Sequence, residues 1–270
     1  MFKKSLIFII FLLFLCPVFA KETDDGIKVI HKYEGIWVFK IEAKKYGEKI
    51  KPYVEYTTAN ELFERGNYIF VVNGGFFDMK DKTSVSYIVI DGKTVETPMN
   101  NLKLMEGLVS QKRDEAVLNR SEFRILEDEG KKISFDIAPH FAPVKEGQKI
   151  KHSIQGGPLI YPVLEWEKES FIALDKDDRV IFETCDVTKR RPRTLLGIKK
   201  DDLYVVIFTD KKQVALNEAY DFFKKKLKLD KVMALDGGGS TSLNYKDIKI
   251  FSEGTEGRKV KSFLVIEGDK

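Results

Sequence analysis

Val232-Met233-Ala234-Leu235-Asp236-Gly237-Gly238-Gly239-Ser240 passes from an apolar run into an acid and then three glycines. The apolar run is too short for a helix and suits a buried strand. Asp236 then stands at the strand tip, where a ligand can reach it. Glycines after the tip remove side chains and let backbone N–H groups come close to that ligand. The same grammar occurs in Val71-Val72-Asn73-Gly74-Gly75-Phe76-Phe77-Asp78 and in Ser153-Ile154-Gln155-Gly156-Gly157-Pro158. Three such tips share a pocket only if their strands are neighbours in space. The pattern therefore predicts one site assembled from three distant parts of the chain.

Working outward, Tyr68–Val72, Lys149–Gln155 and Val232–Leu235 are the strands that lead into the tips. Ile36–Ala43, Phe123–Leu126, Ile133–Ile137, Thr194–Ile198, Tyr204–Thr209 and Phe263–Ile266 have the same character. Val85–Ile90 and Lys93–Glu96 flank Asp91-Gly92 and predict a hairpin. Ile172-Ala173 and Val180–Phe182 suggest another. Ala59–Arg65 predicts a short helix ended by Gly66-Asn67. Leu216, Ala219, Tyr220, Phe223 and Leu227 recur at helical spacing and predict a helix near 215–228, with lysines at its C-terminal end. Residues 97–120 carry no clear period and are expected to be a loop. The expected fold is a single α+β domain around a mixed, largely antiparallel β-sheet with a few helices.

Lys3 and Lys4, the apolar run Leu6–Leu15 and the small residues Val18 and Ala20 make residues 1–20 an expected cleaved signal peptide. An uncleaved anchor is the rival reading. With cleavage, no membrane span remains and the protein is exported to the periplasm, the wall or the outside. Residues 21–33 are polar and expected to be a loose N-terminal arm. Of the two cysteines only Cys185 survives cleavage, so no internal disulfide can form. A net charge of +4 from 46 basic and 42 acidic residues gives no case for nucleic acid as a partner. His31, His140 and His152 lie far apart and lack the spacing of a zinc site. No cofactor is expected.

Each tip has a plain alternative as a glycine turn. The chemical reading makes Asp236 and Asp78 a pair of carboxylates. Ser240 and Thr241 offer hydroxyl groups to an anion or a sugar. Asn73 and Gln155 have the donors and acceptors to bind sugar hydroxyls. Gly74, Gly75, Gly156, Gly157, Gly237, Gly238 and Gly239 leave room and offer amides. In Lys189-Arg190-Arg191-Pro192-Arg193-Thr194, Arg193 adjoins a strand and suits a phosphate or carboxylate. Asp210, ending another strand, is a supporting residue. Asp78, Asp210 and Asp236 could alternatively hold a divalent metal.

The tips together with Pro192-Arg193-Thr194 and Gly197 resemble, in order and approximate spacing, the phosphodiester glycosidase domain. The resemblance covers roughly Tyr68 to Ile266 and assigns residues 34–270 to that domain. It implies hydrolysis of a sugar joined through its anomeric carbon to a phosphodiester, the substrate being a glycosyl-phosphodiester or a cell-envelope glycan. It carries over to Asn73, Asp78, Gln155, Gly157, Arg193, Asp236 and Ser240. Two departures stand out. Asp210-Lys211-Lys212 replaces an Asp-Gly-Arg-like run, and Lys261-Ser262 replaces an Asn before the last strand. The expected roles are Asp236 nearest the anomeric carbon, Asp78 as the second carboxylate and Arg193 on the phosphate. A non-catalytic envelope module binding glycan in the same cleft is the alternative.

Overall fold

A computed structural model describes residues 26–269; the expected signal peptide and residues 21–25 lie outside them. Arg193–Lys199 and Asp202–Phe208 are buried along nearly their whole length, so both of their faces are covered. They form the middle of a six-stranded sheet ordered Ile27–Tyr33, Ile36–Ile41, Asp202–Phe208, Arg193–Lys199, Lys231–Ala234 and Leu159–Tyr161. A second sheet is ordered Ile248–Phe251, Ser242–Tyr245, Tyr68–Asn73, Val260–Glu267 and Ile50–Thr57. A third is ordered Lys93–Glu96, Ile88–Ile90, Gln148–Gln155, Ser121–Asp128 and Ile133–Pro139. Every strand pair among the described residues is antiparallel. The α+β, largely antiparallel expectation holds, with the strands divided among three main sheets.

The sheets meet in one core. Phe39, Leu196 and Val205 from the first, Phe70, Leu243 and Leu264 from the second, and Phe123, Ile125 and Ile154 from the third share a single apolar cluster. The opposite face of the first sheet, with Val38, Leu195 and Val206, is covered by the helix Leu216–Lys225 through Leu216, Ala219 and Phe223. Ala59–Arg65 covers the outer face of the second sheet. Its start is set by a capping box: the Glu61 amide donates to Thr58 Oγ1 (3.0 Å) and the Thr58 amide to Glu61 Oε2 (3.3 Å).

Two sequence expectations are corrected. Ile27–Tyr33 is not a loose arm but an edge strand, paired with Ile36–Ile41 through a tight turn in which Glu34 (φ 50°) and Gly35 (φ 80°) are both left-handed. Only Ile27 enters the core, while Val29, Ile30 and Tyr33 are exposed and main-chain pairing holds the strand. Residues 97–120 contain the helices Leu102–Ser110 and Asp114–Leu118. Asn101 Oδ1 accepts from the Leu104 amide (2.9 Å) and starts the first helix. Each helix fully buries a single residue, Leu108 or Val117, which explains the weak period.

Phe39 is fully buried and meets Phe70 and Tyr245 edge-on, at 5.5 and 6.0 Å between ring centres. Phe39→Ala is expected to cost about 3–5 kcal/mol in urea denaturation. A loss below 1 kcal/mol would show that the three-sheet junction is not the stabilising core.

Candidate active site

The three tips converge, and they do so by packing on one another. The Asp236 amide donates to Gly74 O (3.1 Å) and the Gly157 amide to Ala234 O (2.8 Å). A Cβ on Gly75 would lie 2.4 Å from Gln155 O, and one on Gly156 would lie 2.5 Å from Ala234 O. These glycines are required by the approach of one tip to the next. Asn73 is fully buried at the centre. Its Nδ2 donates to Asp236 O (2.7 Å), while its Oδ1 accepts from Thr194 Oγ1 (2.7 Å) and the Ser242 amide (3.1 Å). Gln155 is buried too. Its Oε1 accepts from the Tyr87 amide (3.2 Å), and its Nε2 donates to Leu118 O (2.8 Å) and Arg120 O (3.3 Å). Both amides are taken up by groups of the protein itself, mostly backbone.

Asp236 lies in a cleft of about 690 Å³ whose other lining residues include Phe76, Pro158, Cys185, Arg193, Glu253 and Arg258. By accessible area the residue is half-buried, but desolvation of its carboxyl dominates and raises the pKa to about 6. The Ser240 hydroxyl, the Gly237 amide, Arg258 and Arg193 all oppose that rise. Gly237 N–H donates to Asp236 Oδ1 at 2.9 Å. The buried Ser240 Oγ favours the ionised carboxylate by proximity, though no hydrogen bond of normal geometry joins the two.

Arg193 is buried beside this carboxylate, yet its donors are committed. Nε donates to Val214 O (3.1 Å), Nη2 to Asp186 O (2.6 Å) and Lys189 O (2.8 Å), and Nη1 to Cys185 O (3.4 Å). Burial lowers its pKa to about 10, so it stays cationic at neutral pH. It gives the cleft charge and holds the Cys185–Lys189 wall.

The cation that sequence reasoning missed is Arg258, which acts on the Asp236 carboxyl more strongly than Arg193 does. Its Nε and Nη2 donate to Glu253 Oε2 (2.9 and 2.6 Å), and among the described residues its Nη1 meets only Met79 Sδ (3.5 Å). Gly239 makes room for the pair, since a Cβ there would lie 2.2 Å from Glu253 Oε2 and 2.4 Å from Arg258 Nη2. Arg258 leaves a turn-rich segment with no periodicity. Its only sequence signal is an Arg two residues before the apolar final strand.

The remaining candidates lie around the cleft. Asp78 shares an adjoining cavity of about 480 Å³ with Asp236, Arg120 and Arg258. It caps a turn, with Oδ1 accepting from the Lys80 amide (2.7 Å) and Oδ2 from Asn101 Nδ2 (3.4 Å). Asp210 is exposed at the cleft rim. The Gly238 amide is taken by Pro192 O (2.9 Å), and Thr241 Oγ1 is buried without a partner among the described residues. Nor do the described residues bring three His, Cys, Asp or Glu side chains into a cluster fit for a metal ion, so Asp78, Asp210 and Asp236 do not form one.

The family model for phosphodiester glycosidases matches residues 66–267, which contain all three tips, Arg193 and Arg258. The chain belongs to the phosphodiester glycosidase family. Several solved structures share the fold. A hypothetical protein from Synechocystis has a TM-score of 0.58 and 11% identity, and the match covers 90% of this chain and 61% of that one. The chain therefore spans less than two thirds of the length of the Synechocystis protein. The zebrafish N-acetylglucosamine-1-phosphodiester alpha-N-acetylglucosaminidase catalytic domain, auto-inhibited by its pro-peptide, gives 0.58 and 14%, covering 90% and 82%. A protein from Burkholderia pseudomallei described as exported gives 0.52 and 11%, covering 86% and 73%. No curated protein matches the chain.

Asn73→Ala would strand Thr194 Oγ1, the Ser242 amide and Asp236 O. A loss of about 2–4 kcal/mol is expected in urea denaturation; a change under 0.5 kcal/mol would mean that the Asp236 tip does not depend on this amide. Asp236 has the opposite sign. Its folded pKa, about 6 against an ordinary 3.8, makes ionisation favour the unfolded chain. The stability it contributes is full below pH 4 and is lost as the pH rises through 6. The difference is worth at most about 3 kcal/mol. Asp236→Asn is therefore expected to melt higher than wild type at pH 8 and to lose that advantage by pH 4. Parallel melting curves across this range would contradict the raised pKa.

Proposed function

We propose that this protein hydrolyses the bond between the anomeric carbon of a sugar and the oxygen of a phosphodiester, releasing the free sugar and a phosphate monoester. The observation that carries the reading is the Asp236 carboxyl, raised to about 6, set in a cleft with the cations Arg258 and Arg193. A phosphate monoester is a good leaving group and needs little protonation. The barrier lies in positive charge gathering on the anomeric carbon and in holding the phosphate. Above pH 6 Asp236 is mainly ionised and faces the first demand. Arg258 meets the second, oriented by Glu253 and with Nη1 available to a phosphate oxygen. Arg193 adds charge from behind the wall. Asp78 reaches the same region from the adjoining cavity and is the second carboxylate of this scheme. Asn73 and Gln155 act as positioning residues, because their amides are engaged with backbone. The basic, apolar and small-residue pattern of residues 1–20 supports export.

With a glycosyl-1-phosphodiester as substrate, kcat/KM should fall on the acid side with an apparent pKa near 6. Asp236→Asn should lose roughly 10³-fold in kcat, and Arg258→Ala roughly 10²-fold in kcat/KM, both with native circular dichroism. Full turnover by folded Asp236→Asn would remove Asp236 from the chemistry. Tight glycan binding by the wild type without turnover would instead establish the glycan-binding role.

A further inference from the structure

Beside the cleft lies a second, open groove of about 870 Å³. Two strips of chain join them. Asp210 and Gln213 line the cleft, while Lys211 and Lys212 between them line the groove, and Asp210 belongs to both. Phe251 lines the groove, and the next residues, Ser252 and Glu253, line the cleft. The far wall is the tip of the hairpin Ile27–Ile41. It is firmly seated: the amide and Oγ1 of Thr209 both donate to Gly35 O (2.9 and 3.0 Å). A Cβ on Gly35 would stand 2.8 Å from Lys211 Cβ, so the hairpin turn rests directly on the lysine-bearing turn.

The groove is cationic and aromatic. Lys211 and Lys212 are exposed, and neither forms an ion pair within 4.0 Å among the described residues. Lys32 Nζ lies 4.6 Å from the ring centre of Trp37. Lys249, bonded to Glu64 at 2.7 Å, is a fourth cation, against the acids Glu34 and Asp210. Tyr33, 66% exposed, is an aromatic face open to solvent. Ammonium groups suit phosphate oxygens, and exposed aromatic rings suit the C–H faces of sugars or polyols. A single small diester in the cleft would leave all of this unused.

We propose that the groove holds the chain attached to the scissile phosphate, and that this chain is a polyanion of repeated phosphodiester units. The proposal rests on the hydrolase reading and adds its substrate class. The test compares a glycosyl-1-phosphate carried on one glycerol with the same group carried on an oligo(glycerol phosphate) of several units. Wild type should favour the long substrate in kcat/KM, and added sodium chloride should shrink that preference as exposed charges are screened. Lys211→Ala/Lys212→Ala, which keeps both Cβ atoms, should lower the long-to-short ratio about five- to tenfold. A wild-type ratio near one, or a ratio unchanged in the double variant, overturns the proposal. If wild type cleaves neither substrate, it is the hydrolase reading that fails. Calorimetric titration with plain oligo(glycerol phosphate) then decides the groove: binding weakened about five- to tenfold in the double variant supports it, and equal affinity overturns it.

Discussion

The side-chain amide of Asn73 is the bond on which the site depends. It ends a central strand of the second sheet and reaches Thr194 in the first sheet, the Ser242 amide and the carbonyl of Asp236. An amide carries its donor and its acceptor on separate atoms of one short side chain, so it can face a carbonyl on one side and two donors on the other. A carboxylate would face the Asp236 carbonyl with no proton to offer, and an apolar isostere would leave three buried polar groups unpaired. Because the bond runs to the main chain of Asp236, it places that residue whatever its side chain is doing. The Asp236 amide is held in turn by Gly74 O, so the residue is fixed on both sides.

A carboxylate fixed in this way cannot escape its desolvation, and the cleft answers with charge. Arg193 and Arg258 divide the task. Arg193 has its donors turned into the protein, so it acts on Asp236 through its field alone. Arg258 is tied by two donors to Glu253 and keeps an edge toward the cleft. Burial outweighs both cations, and the carboxyl comes to rest near 6 instead of in the usual carboxylate range. A group poised there changes charge close to neutral pH, the condition under which a carboxyl serves chemistry best.

Strand tips followed by glycine were legible because an apolar run that stops at a polar residue and then at glycines suits a buried strand ending in a turn and little else. Ala59–Arg65 was legible from the Gly66-Asn67 stop that ends it. What the glycines and amides were for was not legible. Gly75, Asn73 and Gln155 have the residue types that a sugar site would need, and the same types let three backbones pack against one another. Residue type gives an amide's capacity for bonding, and only tertiary structure gives its partner. Ile27–Tyr33 escaped because its apolar residues Val29, Ile30 and Tyr33 stand exposed and show no core-facing alternation, while main-chain pairing holds the strand. Arg258 escaped because a cation in a turn carries no period, and its distance in sequence from Asp236 hides their proximity.

The cleft wall shows why an arginine belongs at position 193 even with no phosphate to grip. Cys185 (φ 60°) and Asp186 (φ 48°) are consecutive non-glycine residues in the left-handed region. Each such residue costs on the order of 1 kcal/mol and persists only where its surroundings impose it. Arg193 takes the carbonyls of both residues and of Lys189, while the Asp186 carboxylate binds Lys189 and Arg191. Charged hydrogen bonds of this kind are strong enough to offset the strain. The wall is therefore shaped before any ligand arrives. Its guanidinium is a strut whose charge also reaches Asp236, which accounts for a buried cation at a site where a second, more open one, Arg258, lines the same cleft.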